Sequence, residues 1–337
     1  MARSNLKLQL LFCTVLTLIA HSTSGQVIET VGSRALGMAG AFVAVASDST
    51  ATWWNPAGLA AGPFVDVSVA QATTELPERL LARRDRVTWF ALGTPPAGVS
   101  YYHLHATDVR GFDSTASATG GQATEGGEPH LRSWSGSQLG VTLLHTLASG
   151  IHAGATVKYL RGTLRASPQL GSGTPKMLLD RGEDLEGGSA ENRFDLDLGL
   201  LAVSGPMRIG MVVRNLRESR FGDGAFTLER QVRLGVALDG TELGGSPFVV
   251  SLDADVRRYV SGTGQRRVVA VGAERWFLTR RLALRGGGRF NTVGAQEKSA
   301  AAGVSVAVRP GLYVDGHAVR GGAADDRGWG LAARFSY

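Results

Sequence analysis

The residues of this sequence best equipped for chemistry are a pair of histidines, two pairs of aspartates and a surplus of arginines. His103 and His105 lie two apart, so on an extended strand they share a face and could supply half of a metal site, with Asp108 as the one nearby candidate for a third ligand. The alternative is a pair of polar histidines at the rim of a sheet. Asp195 and Asp197, and likewise Asp253 and Asp255, repeat that spacing. They could hold a cation, or they could pair with Arg208, Arg233, Arg285, Arg289 and Arg334, because charge withdrawn from water must be compensated. Neither arrangement completes a ligand shell, so no metal and no other cofactor is expected. Gly-x-Ser-x-Gly, His-Glu-x-x-His, the phosphate-binding loop and the dinucleotide fingerprint are all missing. No nucleophile stands beside a base, and the chain is not expected to be an enzyme.

The elements that would have to position these groups are strands. Fourteen can be laid down, near 63–74, 86–94, 98–106, 132–147, 151–162, 193–203, 207–216, 230–239, 247–258, 267–278, 281–290, 299–309, 312–320 and 327–337. A side-chain period of two gives most of them one apolar face. Phe194, Leu196, Leu198 and Leu200 alternate with Asp195 and Asp197, and Val304, Val306 and Val308 alternate with Ser305 and Arg309. The last strand sets Trp329, Leu331, Ala333, Phe335 and Tyr337 against Gly330, Ala332, Arg334 and Ser336. A terminal strand closing on an aromatic residue resembles the carboxy-terminal assembly signal of outer-membrane barrels, with Phe335 and Tyr337 in that role and the barrel-assembly machinery as the implied partner.

Connections alternate in length. Those after even-numbered strands are short, as at 95–97, 148–150, 204–206, 279–280 and 310–311, whereas 106–131 and 162–192 follow odd-numbered strands and are rich in Gly, Ser, Thr and charge. Short periplasmic turns and long external loops are the pattern of a transmembrane β-barrel. The fold class expected is therefore all-β, a 14-stranded antiparallel transmembrane barrel, with both termini periplasmic. A soluble sandwich or propeller would also alternate, but would not give two classes of loop, and rows of Leu and Val facing water would be an aggregation hazard.

Arg3 and Lys7 followed by the apolar run Leu8 to Ala20 and a small, polar stretch read as a secretory signal peptide, residues 1–25. Cleavage fits before Gln26 or one residue earlier. Cys13, the one cysteine, lies inside the leader, so the mature chain carries neither disulfide nor lipid anchor. Later apolar stretches such as Ala41 to Ala46 fall far short of the roughly 20 residues of a spanning helix. Glycine numbers 46 of 337 residues, about double the usual ~7%, which suits tightly curved sheet. The net charge of +6 falls to +4 without Arg3 and Lys7. Export and the lack of a basic-aromatic motif argue against nucleic acid as a partner. Arginines near the external loop ends, such as Arg83, Arg84, Arg86, Arg266 and Arg267, could grip lipopolysaccharide phosphates bidentately or serve as solubilising rim charge.

Between leader and first strand lie Gly37-Met38-Ala39-Gly40-Ala41, Ser47-Asp48-Ser49 and Asn55-Pro56-Ala57-Gly58-Leu59. This segment resembles the amino-terminal part of the FadL/PorV-like outer-membrane proteins, which group long-chain fatty-acid transporters with PorV-type secretion components. Read physically, Gly37 and Gly40 permit close backbone approach, and Asp48 or Ser47 can cap a short helix running to Trp54. Pro56 ends that helix near Asn55, and Gly58 supplies the turn into the first strand. The resemblance implies a plug inside the lumen, residues 26–62, and a barrel over 63–337. It also implies an outer-membrane channel passing small hydrophobic molecules, with a docking barrel for secreted proteins as the alternative. At about 312 residues the mature chain is shorter than typical fatty-acid transporters, which puts the external ligand groove in doubt.

Overall fold

In the computed structural model, which describes residues 25–26, 28–77, 81–110, 130–167, 173–243, 247–261, 264–294, 297–322 and 327–337, the period-two segments become fourteen strands. They are β1 (Asp66–Pro77), β2 (Leu81–Gly93), β3 (Ala97–Arg110), β4 (His130–Ala148), β5 (Ile151–Ser167), β6 (Ala190–Ser204) and β7 (Met207–Arg214). There follow β8 (Gln231–Asp239), β9 (Phe248–Asp255), β10 (Val268–Phe277), β11 (Leu282–Asn291), β12 (Lys298–Arg309), β13 (Leu312–Gly321) and β14 (Arg327–Ser336). Each pairs antiparallel with its neighbours, and β14 returns to β1 with Ser336 opposite Asp66, closing the barrel. Closure removes the open edges that a flat sheet would expose.

The alternation sorts side chains as the sequence implies. On β6, Phe194 and Leu200 are 59% and 47% exposed while Asp195 and Asp197 are buried. On β12, Val304, Val306 and Val308 face out and Ser305 is buried. An outer surface of Leu, Val and Phe over a polar wall is the arrangement that suits hydrocarbon outside the barrel.

The short turns cluster at one end. Gly150, Gly205 and Gly311 take positive φ there, at 72°, 53° and 80°, which glycine adopts without steric cost. The turn after β10 instead holds three residues with side chains, Leu278, Thr279 and Arg280, at positive φ. The barrel is taller on one side: β4 has 19 residues and β7 has 8. On β4 the outward residues pass from Leu139, Val141 and Leu143 near the short turns to Ser133, Ser135 and Ser137 at the far end, so that part stands above the apolar belt.

Inside the long connection after β5 lies helix α3 (Pro175–Glu183), where the sequence offered only a loop; α1 and α2 precede it in the amino-terminal segment described next. Thr174 caps α3 by accepting from Met177 N–H at 3.3 Å. The helix packs on the outward residues Thr107 and Leu131 through Gly182. Arg84 binds Glu75 at 2.7 Å, Asp180 at 2.7 Å and Glu183 at 3.1 Å beneath it.

The core of the protein is in the lumen. Residues 28–62 run through it, forming α1 (Ser33–Gly37), α2 (Ala51–Trp54) and a 3-10 turn (Pro56–Ala61). Met38, Phe42, Val45, Trp53 and Trp54 pack there against Trp89, Tyr102, Trp134 and Leu160 of the wall. At the start, Gly25–Gln26 pairs in parallel with Phe226–Leu228, which pairs with Arg220–Phe221 in the long connection after β7. At the other end Tyr337 exchanges two backbone bonds with Val65, at 2.8 and 3.0 Å, beside the short turns. The barrel's own ends do meet, but the described chain begins at the mouth of the long loops, because the segment traverses the lumen before β1. The leader, residues 1–24, lies outside the described residues.

Candidate functional site

The lumen accommodates the segment because glycine removes the side chains that would collide with it. A Cβ on Gly199 of β6 would lie 2.1 Å from Asn55 Oδ1, one on Gly154 of β5 2.4 Å from the carbonyl carbon of Pro56, and one on Gly210 of β7 2.5 Å from Val43 O. Across the barrel, a Cβ on Gly272 would lie 2.6 Å from Met38 O and one on Gly303 3.0 Å from Gly37 Cα. Part of the glycine content thus serves close contact between wall and segment as well as curvature.

Polar anchors fix the segment between these contacts. Asp253 on β9 accepts the N–H groups of Phe42 and Val43, both at 2.8 Å. Asn55 donates to Val43 O at 2.8 Å and to Leu200 O at 3.1 Å, and accepts from Ala57 N–H at 3.1 Å. Asp66 accepts Ser49 N–H at 2.8 Å, and Thr52 bonds the Tyr102 hydroxyl at 2.8 Å. Two ion clusters bind the other half. Arg34 meets Glu274 of β10, which also receives Arg285 at 2.5 Å. Glu29 receives Arg233 at 2.5 Å, Arg289 at 3.3 Å and Arg266 at 3.4 Å. Burial alone would raise the Glu29 carboxyl. The guanidinium groups of Arg233, Arg266 and Arg289 outweigh it and hold the carboxyl well below the ordinary carboxylate range.

The expected site residues gather here, several in altered roles. A Cβ on Gly37 would lie 3.0 Å from the Cα of Gly303, and Gly40 takes φ 82° beside Trp54. Asp48 accepts from the N–H of Thr50 at 3.0 Å and from its hydroxyl, and neither it nor Ser47 is the N-cap of α2, which is Thr50 and makes no side-chain capping bond. Asn55 and Pro56 do end α2, but they open the 3-10 turn. Gly58 sits within that turn and not at an entry to β1. A Cβ there would lie 1.9 Å from Ala46 O, because the chain doubles back on itself.

The lumen charges pair differently from the expectation. Asp255 binds Arg233 at 2.8 Å, but Asp197 binds Lys158 at 2.6 Å, and Asp195 accepts from Ser219 and the Arg217 N–H of the connection after β7. Arg208 binds Asp239 at 2.5 Å, and Arg334 binds Asp315 at 2.9 Å and Asp66 at 3.3 Å. His103 and His105 face outward, bonded to Ser137 and Ser133, whereas Asp108 turns inward to Arg132, so the three do not converge. Among the described residues no group of three His, Cys, Asp or Glu could hold a metal. Sequence reasoning missed Glu29, Arg34, Glu274, Phe42 and Tyr102. The adjacent Trp53 and Trp54 were the one visible sign that this segment carries a core.

A closed 14-stranded barrel with an apolar exterior and an occupied lumen defines the class: an outer-membrane β-barrel fold of the FadL type, the architecture implied by the motifs between Gly37 and Leu59. The chain is similar to the CymD monoaromatic hydrocarbon channel, with a TM-score of 0.61 at 11% identity over 94% of this chain and 99% of that one. It is similar also to the P. putida toluene transporter TodX, with a TM-score of 0.56 at 12% identity over 92% of this chain and 99% of that one. At these identities the likeness is one of fold. A family model described as F plasmid transfer operon, TraF, protein matches residues 113–255, less than half of the chain. No curated protein matches the sequence.

Proposed function

We propose that this protein resides in the bacterial outer membrane as a channel for small hydrophobic molecules, with the segment from Ile28 to Gly62 as its plug and gate. The observation that carries the reading is a lumen filled by a piece of chain that is not part of the wall: among the described residues the segment is continuous with a wall strand only at β1, and its packing surface of Met38, Phe42, Val45, Trp53 and Trp54 is apolar. A 14-strand barrel is wider than its own side chains fill, so displacing this segment opens a path lined in part by Tyr102, Trp134 and Leu160. The fold shared with two hydrocarbon channels over more than nine-tenths of the chain supports the same reading.

The test is deletion of residues 27–58 behind an intact leader. The barrel should still reach the membrane in its heat-modifiable folded form, with higher ion conductance in planar bilayers. Liposomes bearing the full-length protein should take up toluene faster than empty ones. A folded deletion variant with unchanged conductance would remove the gating role, and toluene uptake no faster than into empty liposomes would remove the substrate class.

A further inference from the structure

On the tall side of the barrel the outward residues form level rows. Phe90 of β2, Tyr101 of β3, Leu139 of β4, Tyr159 of β5 and Phe194 of β6 stand next to one another across the sheet, all exposed. A row of aromatics at one height is the girdle with which a barrel meets the edge of the hydrocarbon. Two residues nearer the long loops the same strands present Thr88, His103, Ser137, Arg161 and Asn192, a row with no apolar member. Beyond it, His105 lies level with Ser135 and Thr163, and Arg165 lies level with Ser133 and Thr107, where α3 packs. At about 3.3 Å per residue, Arg161 stands about 7 Å and Arg165 about 20 Å beyond Tyr159 along β5.

The arginines near the long loops are unequally committed. Arg83 turns inward to Asp85 at 2.8 Å, and Arg84 and Arg86 bind Glu183 of α3 at 3.1 and 3.0 Å. Arg266 is drawn into the lumen by Glu29. Arg161 and Arg165 form no hydrogen bond or ion pair among the described residues, and Arg161 is exposed. His103 and His105 each bond one ring nitrogen to a serine, at 3.3 Å to Ser137 and 2.8 Å to Ser133. Of the charged groups that bear most on His105, Arg86, Arg165 and His103 are basic and Glu183 alone is acidic, and Glu183 is already shared between two arginines.

We propose, resting on the outer-membrane reading above, that the outward band between the aromatic row and α3 docks a phosphorylated lipid of the outer leaflet, its phosphate held by Arg161 and Arg165 and its headgroup hydroxyls by His103, Ser135 and Ser137. A guanidinium offers a fork of N–H donors that fits phosphate, and basic side chains set just outside the hydrocarbon favour anionic headgroups. The occupant is a lipid because of what lies beneath Arg161. Tyr159 and Phe194 meet there with ring centroids 5.3 Å apart, and Val157 and Val141 continue the exposed apolar face below them. A phosphate on Arg161 therefore hands its acyl chains straight to the belt, whereas a free phosphate would gain only exposed, screened contacts.

Native mass spectrometry of the full-length protein released from detergent micelles and titrated with diphosphoryl lipid A tests this, with heat-modifiability as the check on folding. The native chain should hold one lipid A and bind the same lipid stripped of its phosphates much more weakly. Arg161→Gln/Arg165→Gln should bind diphosphoryl lipid A about thirtyfold more weakly, the loss of two arginines at an anionic surface. Arg280→Gln/Arg309→Gln, an equal change of charge at exposed residues of the short-turn end, should bind as the native chain does. Equal weakening by both double variants would reduce the effect to net charge and overturn the site, as would unchanged binding by folded Arg161→Gln/Arg165→Gln. Displacement of the lipid by an equal concentration of inorganic phosphate would overturn the lipid assignment in favour of a free ion. A native chain that inserts into phosphatidylcholine vesicles yet does not distinguish the phosphorylated lipid loses this surface alone; one that fails to insert loses the membrane setting with it.

Discussion

Arg34 and Glu274 meet in a two-pronged ion pair, with Nε and Nη2 of the guanidinium each 2.8 Å from a carboxylate oxygen, although 240 residues separate them in the chain. One belongs to α1 and the other to the wall, so the pair reads directly whether the segment is seated. Removing one partner of a buried pair leaves the other charge uncompensated, at a cost of about 3–5 kcal/mol. Arg285, 2.5 Å from Glu274, supplies part of the replacement. Arg34→Gln is therefore expected near the low end, about 3 kcal/mol, read as a lower urea midpoint for loss of the heat-modifiable form. Arg34→Gln/Glu274→Gln should recover part of that loss; a strictly additive double variant would deny the coupling.

Glu29 gives the segment a dependence on pH. Its carboxyl is depressed in the folded protein, so its contribution is fully present above the unfolded value of about 4.3 and is lost as the pH falls through the folded one. The part of the conductance that depends on Glu29 should rise once the pH falls below about 4.3, where the released carboxyl takes up a proton that the docked one does not. In Glu29→Gln the conductance should be raised at neutral pH and flatter below it. Identical pH profiles for the two proteins would remove Glu29 from the anchor.

Gly199 marks where the wall leaves no room for a side chain. Gly199→Val puts a branched group where a single Cβ would already lie 2.1 Å from Asn55 Oδ1, and overpacking of this kind costs about 1–3 kcal/mol. Because the outward face of β6 is untouched, the barrel should assemble in normal amounts while the turn from Asn55 to Gly58 is pushed off the wall and conductance rises. Gly286→Val is the control, since the nearest atom to a Cβ there is Ala301 O at 3.9 Å. If both variants conduct alike, the contact at Gly199 is not what seats the segment.

The outward face of β12 tests the membrane setting. Val306 is 47% exposed among its apolar neighbours, and an arginine there costs about 2–4 kcal/mol at the bilayer midplane. Val306→Arg should deplete the folded form from outer-membrane fractions. Ser305→Arg, which the sequence would class as a mild lumen change, should be no milder: Ser305 is fully buried and bonded to Arg285 at 2.6 Å and to Asp315. Normal membrane levels of Val306→Arg would argue against lipid at that face.

Deleting Phe335 to Tyr337 removes the two bonds between Tyr337 and Val65 and an outward aromatic at the seam. The yield of folded barrel should fall, while any barrel that does close should keep most of its resistance to heat. An unchanged yield would deny these residues a part in assembly.

The wall was legible because its information is local. Whether Leu198 faces out and Asp197 faces in follows from a period of two, and the turns at Gly150, Gly205 and Gly311 announce themselves by composition. The occupied lumen was only half legible. Gly37, Gly40 and Asn55 could be singled out by motif, but Glu29, Arg34 and Glu274 acquire partners only when the sheet has curled fully round, more than 200 residues away in sequence. The same distance explains why Asp253 was read as a cation partner when it receives two backbone N–H groups. Helix α3 was hidden because only one of its faces, at Leu179 and Gly182, is buried, in a connection otherwise rich in polar residues.

The path of residues 28–62, from the mouth of the long loops down to the start of β1, constrains the order of events in biogenesis. The segment touches β5, β6, β7, β9, β10 and β12 at close separations, so it is seated most readily along the growing sheet while β1 and β14 are still apart. The register of Ser336 with Asp66 is then zipped around it. The last hydrogen bonds to form would be those between Val65 and Tyr337, and the barrel is in this sense built around its own contents.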